Sequence, residues 1–174
     1  MSEAGYKFEV LSPLVVEVAY GWLTIRELTV WNAARKAASV SRMSPDAVVL
    51  AADTLVTIDN EVLGKPADLE DAVRILRRLS GRAHEVWTAV RISHGTRARS
   101  QNFHDVSRVH FKKLDDRAIR NYLARIDPLD KAGAYAAQGH GKEIIERIDG
   151  SFSNVVGLPM EKTARALRAF GITA

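Results

Sequence analysis

Residues 47–58 read Ala47-Val48-Val49-Leu50-Ala51-Ala52-Asp53-Thr54-Leu55-Val56-Thr57-Ile58. A compact run of Val, Leu and Ala of this length predicts a strand buried on both faces. Working back from it, Thr24 to Val40 reads as a helix. Thr24 can cap it with Glu27 three residues on, and Leu28, Trp31, Ala34 and Ala38 fall at helical spacing. Tyr6 to Leu11 reads as an opening strand. Working forward, Leu63-Gly64-Lys65-Pro66 is a turn, and a helix opened near Asp68 carries the stripe Ala72, Ile75, Leu76 and Leu79 before Ser80-Gly81 ends it. His84 to Ser93 and Gln101 to Phe111 alternate as the arms of a hairpin about His94-Gly95-Thr96-Arg97. Asp115 to Ile126 predicts a helix, Ile144 to Ile148 a short strand and Gly150 to Asn154 a turn. Pro159 to Phe170 predicts a closing helix stopped by Gly171. Helices alternate with strands, so the class is α/β with a mixed sheet flanked by helices.

The chain of 174 residues, 47% hydrophobic and 26% charged, has the composition of a folded protein and shows no repeat or linker, so residues 1–174 are read as one domain. The absence of cysteine excludes disulfide scaffolds, zinc knuckles and thiol nucleophiles. A net charge of +4, spread along the chain, gives no nucleic-acid footprint, even counting Arg97, Arg99, Lys112 and Lys113 near the hairpin. With no signal-peptide pattern and no apolar run long enough for a bilayer, the expectation is a cytoplasmic protein without a membrane partner.

Asp53 is the residue that asks for a chemical explanation. A carboxylate inside an apolar strand is costly unless it is paired, hydrogen-bonded or bound to a metal. Lys65, between Gly64 and Pro66, sits on a stiff turn that presents a fixed cation, for which phosphate is the natural anion. Residues 130–141 combine small residues and glycines with Lys131, Tyr135 and Gln138, a cation, an aromatic ring and an amide suited to a phosphate and a base edge. The histidines lack metal-ligand spacing, and no P-loop, dinucleotide fingerprint or serine elbow occurs.

Ala52-Asp53-Thr54, Leu63-Gly64-Lys65-Pro66, Leu79-Ser80-Gly81 with His84 and Thr88, Asp130 to Tyr135 with Gln138-Gly139, and Gly150-Ser151 with Asn154 to Pro159 resemble, in order and spacing, the Maf family of nucleoside triphosphate pyrophosphatases. The resemblance runs from about Tyr6 to Gly171. It implies a long mixed sheet in two lobes with a central cleft, a homodimer, and hydrolysis of a nucleoside triphosphate between the α and β phosphates with Mg²⁺ or Mn²⁺. It further implies Asp53 as general base, metal ligation by Asp53 and Glu17, and substrate binding by Thr54, Gln138, Lys36, Lys65 and Lys131. The stretch Ala134 to Gly139 resembles the dTTP/UTP branch.

Members of that family open with a strand, a Ser-x-Ser-Pro-Arg-Arg loop and a helix that grips the triphosphate. The resemblance here starts after that unit, so an N-terminally truncated fold is expected. Ser41-Arg42-Met43-Ser44-Pro45 follows the first helix and cannot take the loop's place. Two expectations follow: a pyrophosphatase whose coding frame extends upstream, or a nucleotide-binding pseudoenzyme or regulator that has lost catalysis.

Overall fold

A computed structural model of the chain describes residues 1–16 and 21–174. Helix α1 (Ile25–Met43) starts where the sequence predicts, because Thr24 and Glu27 close a capping box. The Glu27 N–H donates to the Thr24 hydroxyl and the Thr24 N–H donates to the Glu27 carboxylate. Strand β1 (Val48–Ile58) follows. Asp59 and Asn60, both with left-handed φ, turn the chain into β2 (Glu61–Leu63), which runs antiparallel to the end of β1 with Val56 opposite Leu63.

Asp68 caps α2 (Leu69–Leu79), which buries Ala72, Val73, Leu76 and Leu79. Strands β3 (Ala83–His94) and β4 (Arg99–Phe111) form the expected hairpin arms. Asp115 caps α3 (Asp116–Leu123), and the one-turn helix α4 (Gly141–Ile144) leads into β5 (Ile145–Asp149), antiparallel to β4. The one-turn α5 (Phe152–Val155) and α6 (Met160–Ala169) complete the chain. The strands hydrogen-bond in the order β2-β1-β3-β4-β5, a five-stranded sheet with flanking helices, as an α/β fold requires.

The chain divides into two compact units. The first comprises Met1–Asp53, Thr88–Asp105 and Gly157–Ala174. Its core joins Tyr6, Val90, Ile92, Ala166, Leu167 and Phe170, and the Gly95 turn packs so tightly on Pro45 that a Cβ would come within 2.9 Å of the Pro45 carbonyl oxygen. The second comprises Thr54–Trp87 and Val106–Val156, with a larger core built on Val56, Leu76, Leu79, Val86, Val109, Ile119 and Tyr122. On its surface α2 and α3 are tied by the bidentate pairs Arg77–Asp116 and Arg120–Glu70.

Three local expectations need correction. Tyr6 to Leu11 forms no strand. A strand is closed by ladder hydrogen bonds to a neighbouring strand, and among the described residues none of this run is paired in that way; the Tyr6 N–H instead donates to the Met1 carbonyl at 3.4 Å, and Tyr6 is buried while Phe8 and Val10 are exposed. On α1 the buried residues are Leu28, Thr29, Asn32, Ala33, Ala37 and Ser39, whereas Trp31 and Ala38 are exposed. Small apolar residues surround this helix, so periodicity alone does not single out the inner face. Residues 152–155, read as part of a turn, wind into a helical turn because the Ser151 hydroxyl caps it at the Asn154 N–H.

Candidate active site

In the first unit, Asn32 and Lys36 lie one turn apart on α1 and so share a face. Asp53, 4% exposed, meets both. Its Oδ1 lies 2.7 Å from Lys36 Nζ, and its Oδ2 accepts from Asn32 Nδ2 at 3.3 Å. Lys36 also donates to the Ala52 carbonyl at 3.4 Å. The carboxylate that stood out in the sequence therefore has a countercharge and a donor on each oxygen, the condition under which a buried charge is tolerated. Lys36 also lines a cavity of about 580 Å³ within this unit, walled by Val48–Ala52 and the segment from Tyr6 to Leu11.

Thr54, the next residue of β1, is half-buried and belongs to the second unit. There the Gly64-Lys65-Pro66 turn is fastened to the loop after α3, since the Gly133 N–H donates to the Gly64 carbonyl at 3.1 Å. Only glycine fits position 133: φ is 72°, and a Cβ would stand 3.0 Å from a Val56 methyl. The neighbouring Lys131 ammonium rests on the Asp130 carboxylate. Hydrogen bonding from Lys131 lowers the Asp130 pKa, and the charge of Lys65 adds to the effect, so the two lysines share one electrostatic neighbourhood. Gln138 is exposed on the same loop.

Tyr135 does not offer its face to a ligand as the sequence suggested. Its ring is buried edge-on to Phe111 and His84, and its hydroxyl lies 2.8 Å from His84 Nε2. Desolvation, reinforced by the charge of His110, lowers His84 from 6.5 to about 4, so it is neutral at physiological pH. Burial likewise raises the Tyr135 pKa. His84 is thus a core histidine at the start of β3. Asn154 is buried as well, donating to the Val86 carbonyl and the Ser107 hydroxyl at 3.0 Å each, which makes it an anchor for the 150–157 segment.

A family profile described as Maf-like protein matches residues 1–170. The chain belongs to this family. A dTTP/UTP pyrophosphatase of Pelotomaculum thermopropionicum is 42% identical over 171 residues, 98% of this chain and 90% of the relative. One of Bacillus velezensis is 51% identical over 142 residues, 82% of this chain and 74% of the relative. One of Aquifex aeolicus is 42% identical over 177 residues, 100% of this chain and 90% of the relative.

In this Maf-like protein Asp53 and Lys36 form one ion pair, and the turn that carries Lys65 is tied to the loop that carries Lys131 by the Gly133–Gly64 hydrogen bond. Glu17 lies outside the described residues. Sequence reading missed Asn32; the signal available was an amide four residues before Lys36 on a helix of small apolar residues. Among the described residues no three His, Asp or Glu side chains gather as a metal cage. The hard oxygen of Asp53 does suit Mg²⁺ or Mn²⁺ held mainly by phosphate and water, which needs only one or two protein carboxylates. No helix of the described residues is long and apolar enough to cross a membrane.

Proposed function

We propose that this Maf-like protein hydrolyses the α–β phosphoanhydride of dTTP and UTP to the monophosphate and pyrophosphate. The observation that carries the reading is the buried Asp53 held by Lys36 and Asn32, in a chain whose curated relatives are named dTTP/UTP pyrophosphatases. Asp53 accepts a proton from water as the water oxygen bonds to phosphorus and the bridging P–O bond breaks, with the electron pair leaving on pyrophosphate. Lys36, Lys65 and Lys131 offset charge on the phosphoryl oxygens, Lys131 exchanging its Asp130 partner for phosphate. Thr54 and Gln138 face the base, and the Gln138 amide matches a pyrimidine edge as donor and acceptor together.

Asp53, with Glu17, is assigned to a divalent cation, Mg²⁺ or Mn²⁺. When bound, such an ion supplies further charge neutralisation on the triphosphate. The reading includes a homodimer in the cytoplasm; sedimentation at twice the chain's 19.2 kDa is the expected result.

The test is pyrophosphate release from dTTP, UTP, CTP, GTP and ATP with Mg²⁺ or Mn²⁺, beside Asp53→Asn. Turnover of dTTP and UTP above the others, with a loss on the order of 10²–10⁴-fold in the variant, is expected. Nucleotide binding with release at background would make the protein a binder instead of an enzyme. Faster turnover of purines would overturn the base assignment.

A further inference from the structure

Asn32 lies in none of the motifs that carry the family resemblance, yet it is one of the few buried polar side chains of α1 and is directed at the residue on which the chemistry turns. We propose that Asn32 is a positioning residue for Asp53: its amide and the Lys36 ammonium, one helical turn apart, grip the two carboxylate oxygens and fix the plane of the group. The inference rests on Asp53 acting as general base.

The terminal torsion of an aspartate is broad, so a carboxylate held through one oxygen keeps rotational freedom about that contact. Lys36 at 2.7 Å from Oδ1 is such a contact, and its ammonium, a point charge with three rotatable donors, sets no direction of its own. The Asn32 amide at 3.3 Å from Oδ2 supplies the second point. The two donors are themselves spaced by the helix, which the Thr24–Glu27 capping box fixes at its start. Two donors on one rigid element meeting two acceptors define a plane, and with it the direction of the lone pair that takes the proton from water. Asn32, only 4% exposed, is withdrawn from solvent and binds no substrate in this reading, so its contribution falls on the chemical step and not on nucleotide affinity.

The experiment compares kcat and KM for UTP in the unaltered chain, Asn32→Leu, Asn32→Asp and Asp53→Asn, with the folded fraction of each followed by circular dichroism. Asn32→Leu keeps the branched skeleton, with a larger volume, and removes the donor; Asn32→Asp keeps the shape and replaces the donor by an acceptor. In both, kcat falls by about 10–100-fold, the range for residues that orient a reacting group, while KM stays within about twofold. Asn32→Leu retaining kcat within about twofold, or losing activity only in proportion to lost folded protein, overturns the inference; so does a rise in KM at unchanged kcat. If Asn32→Leu does not fold, Asn32→Asp decides by the same criteria. Unimpaired Asp53→Asn would instead remove the general-base reading itself, and a dead Asp53→Asn beside a fully active Asn32→Leu removes the positioning role alone.

Discussion

Removing the ammonium of Lys36 deletes the cation that stands 2.7 Å from a carboxylate only 4% exposed. Breaking a buried pair from one side costs about 3–5 kcal/mol, whereas neutralising both partners costs far less. Lys36→Met should therefore lower the denaturation midpoint sharply, and adding Asp53→Asn should restore much of it. A double variant no more stable than Lys36→Met would show that the pair is not what holds this site. Tyr135→Phe tests the other unit. It strips His84 Nε2 of its hydroxyl partner, while Nδ1 has no partner among the described residues, and the expected loss is about 1–3 kcal/mol with the fold retained. At this scale the sequence was informative wherever a residue violated its local setting. Asp53 in an apolar strand and Lys65 between Gly64 and Pro66 stood out without a structure. Asn32 did not, because an Asn on a helix is unremarkable until its partner is known.

Helix and turn elements repeat that division. The Thr24–Glu27 box could be read directly, since capping is a contact between residues three apart and depends on nothing distant. Thr24→Ala should cost about 1 kcal/mol by chemical denaturation. The loop around Gly133 is a different case. Its glycine is required by a left-handed φ and by the methyls of Val56, far away in sequence, so Gly133→Ala should destabilise by roughly 1–3 kcal/mol, and nucleotide affinity should weaken with it because Lys131 and Gln138 ride on that loop. Unchanged stability in that variant would mean that the loop shifts freely. The failed strand at Tyr6 to Leu11 belongs here too: residue preference can favour extension, but only a paired neighbour makes a strand.

For the whole molecule, the buried His84 sets a pH dependence. An unfolded histidine takes its proton near 6.5 and folded His84 only at about 4, so between these values the unfolded chain binds more protons than the native one. Stability from this group is complete above pH 6.5 and is lost as pH falls toward 4, by on the order of 3 kcal/mol. Denaturant titrations from pH 7 to 4 should show a steeper fall for the unaltered chain than for His84→Gln; equal slopes would mean that His84 titrates normally. Sequence by itself determined the alternation of helices and strands, the caps, the hairpin and the singling out of Asp53 as a carboxylate in an apolar strand, because these depend on neighbours within a few residues or on a polar group set in an apolar run. Tertiary structure alone decided that Asn32 and Lys36 of α1 meet Asp53, that Tyr135 spends its hydroxyl on His84, and that the Gly133 N–H fastens to the Gly64 carbonyl. Each of those pairings joins residues distant in the chain, and no local pattern encodes which distant group a side chain will meet.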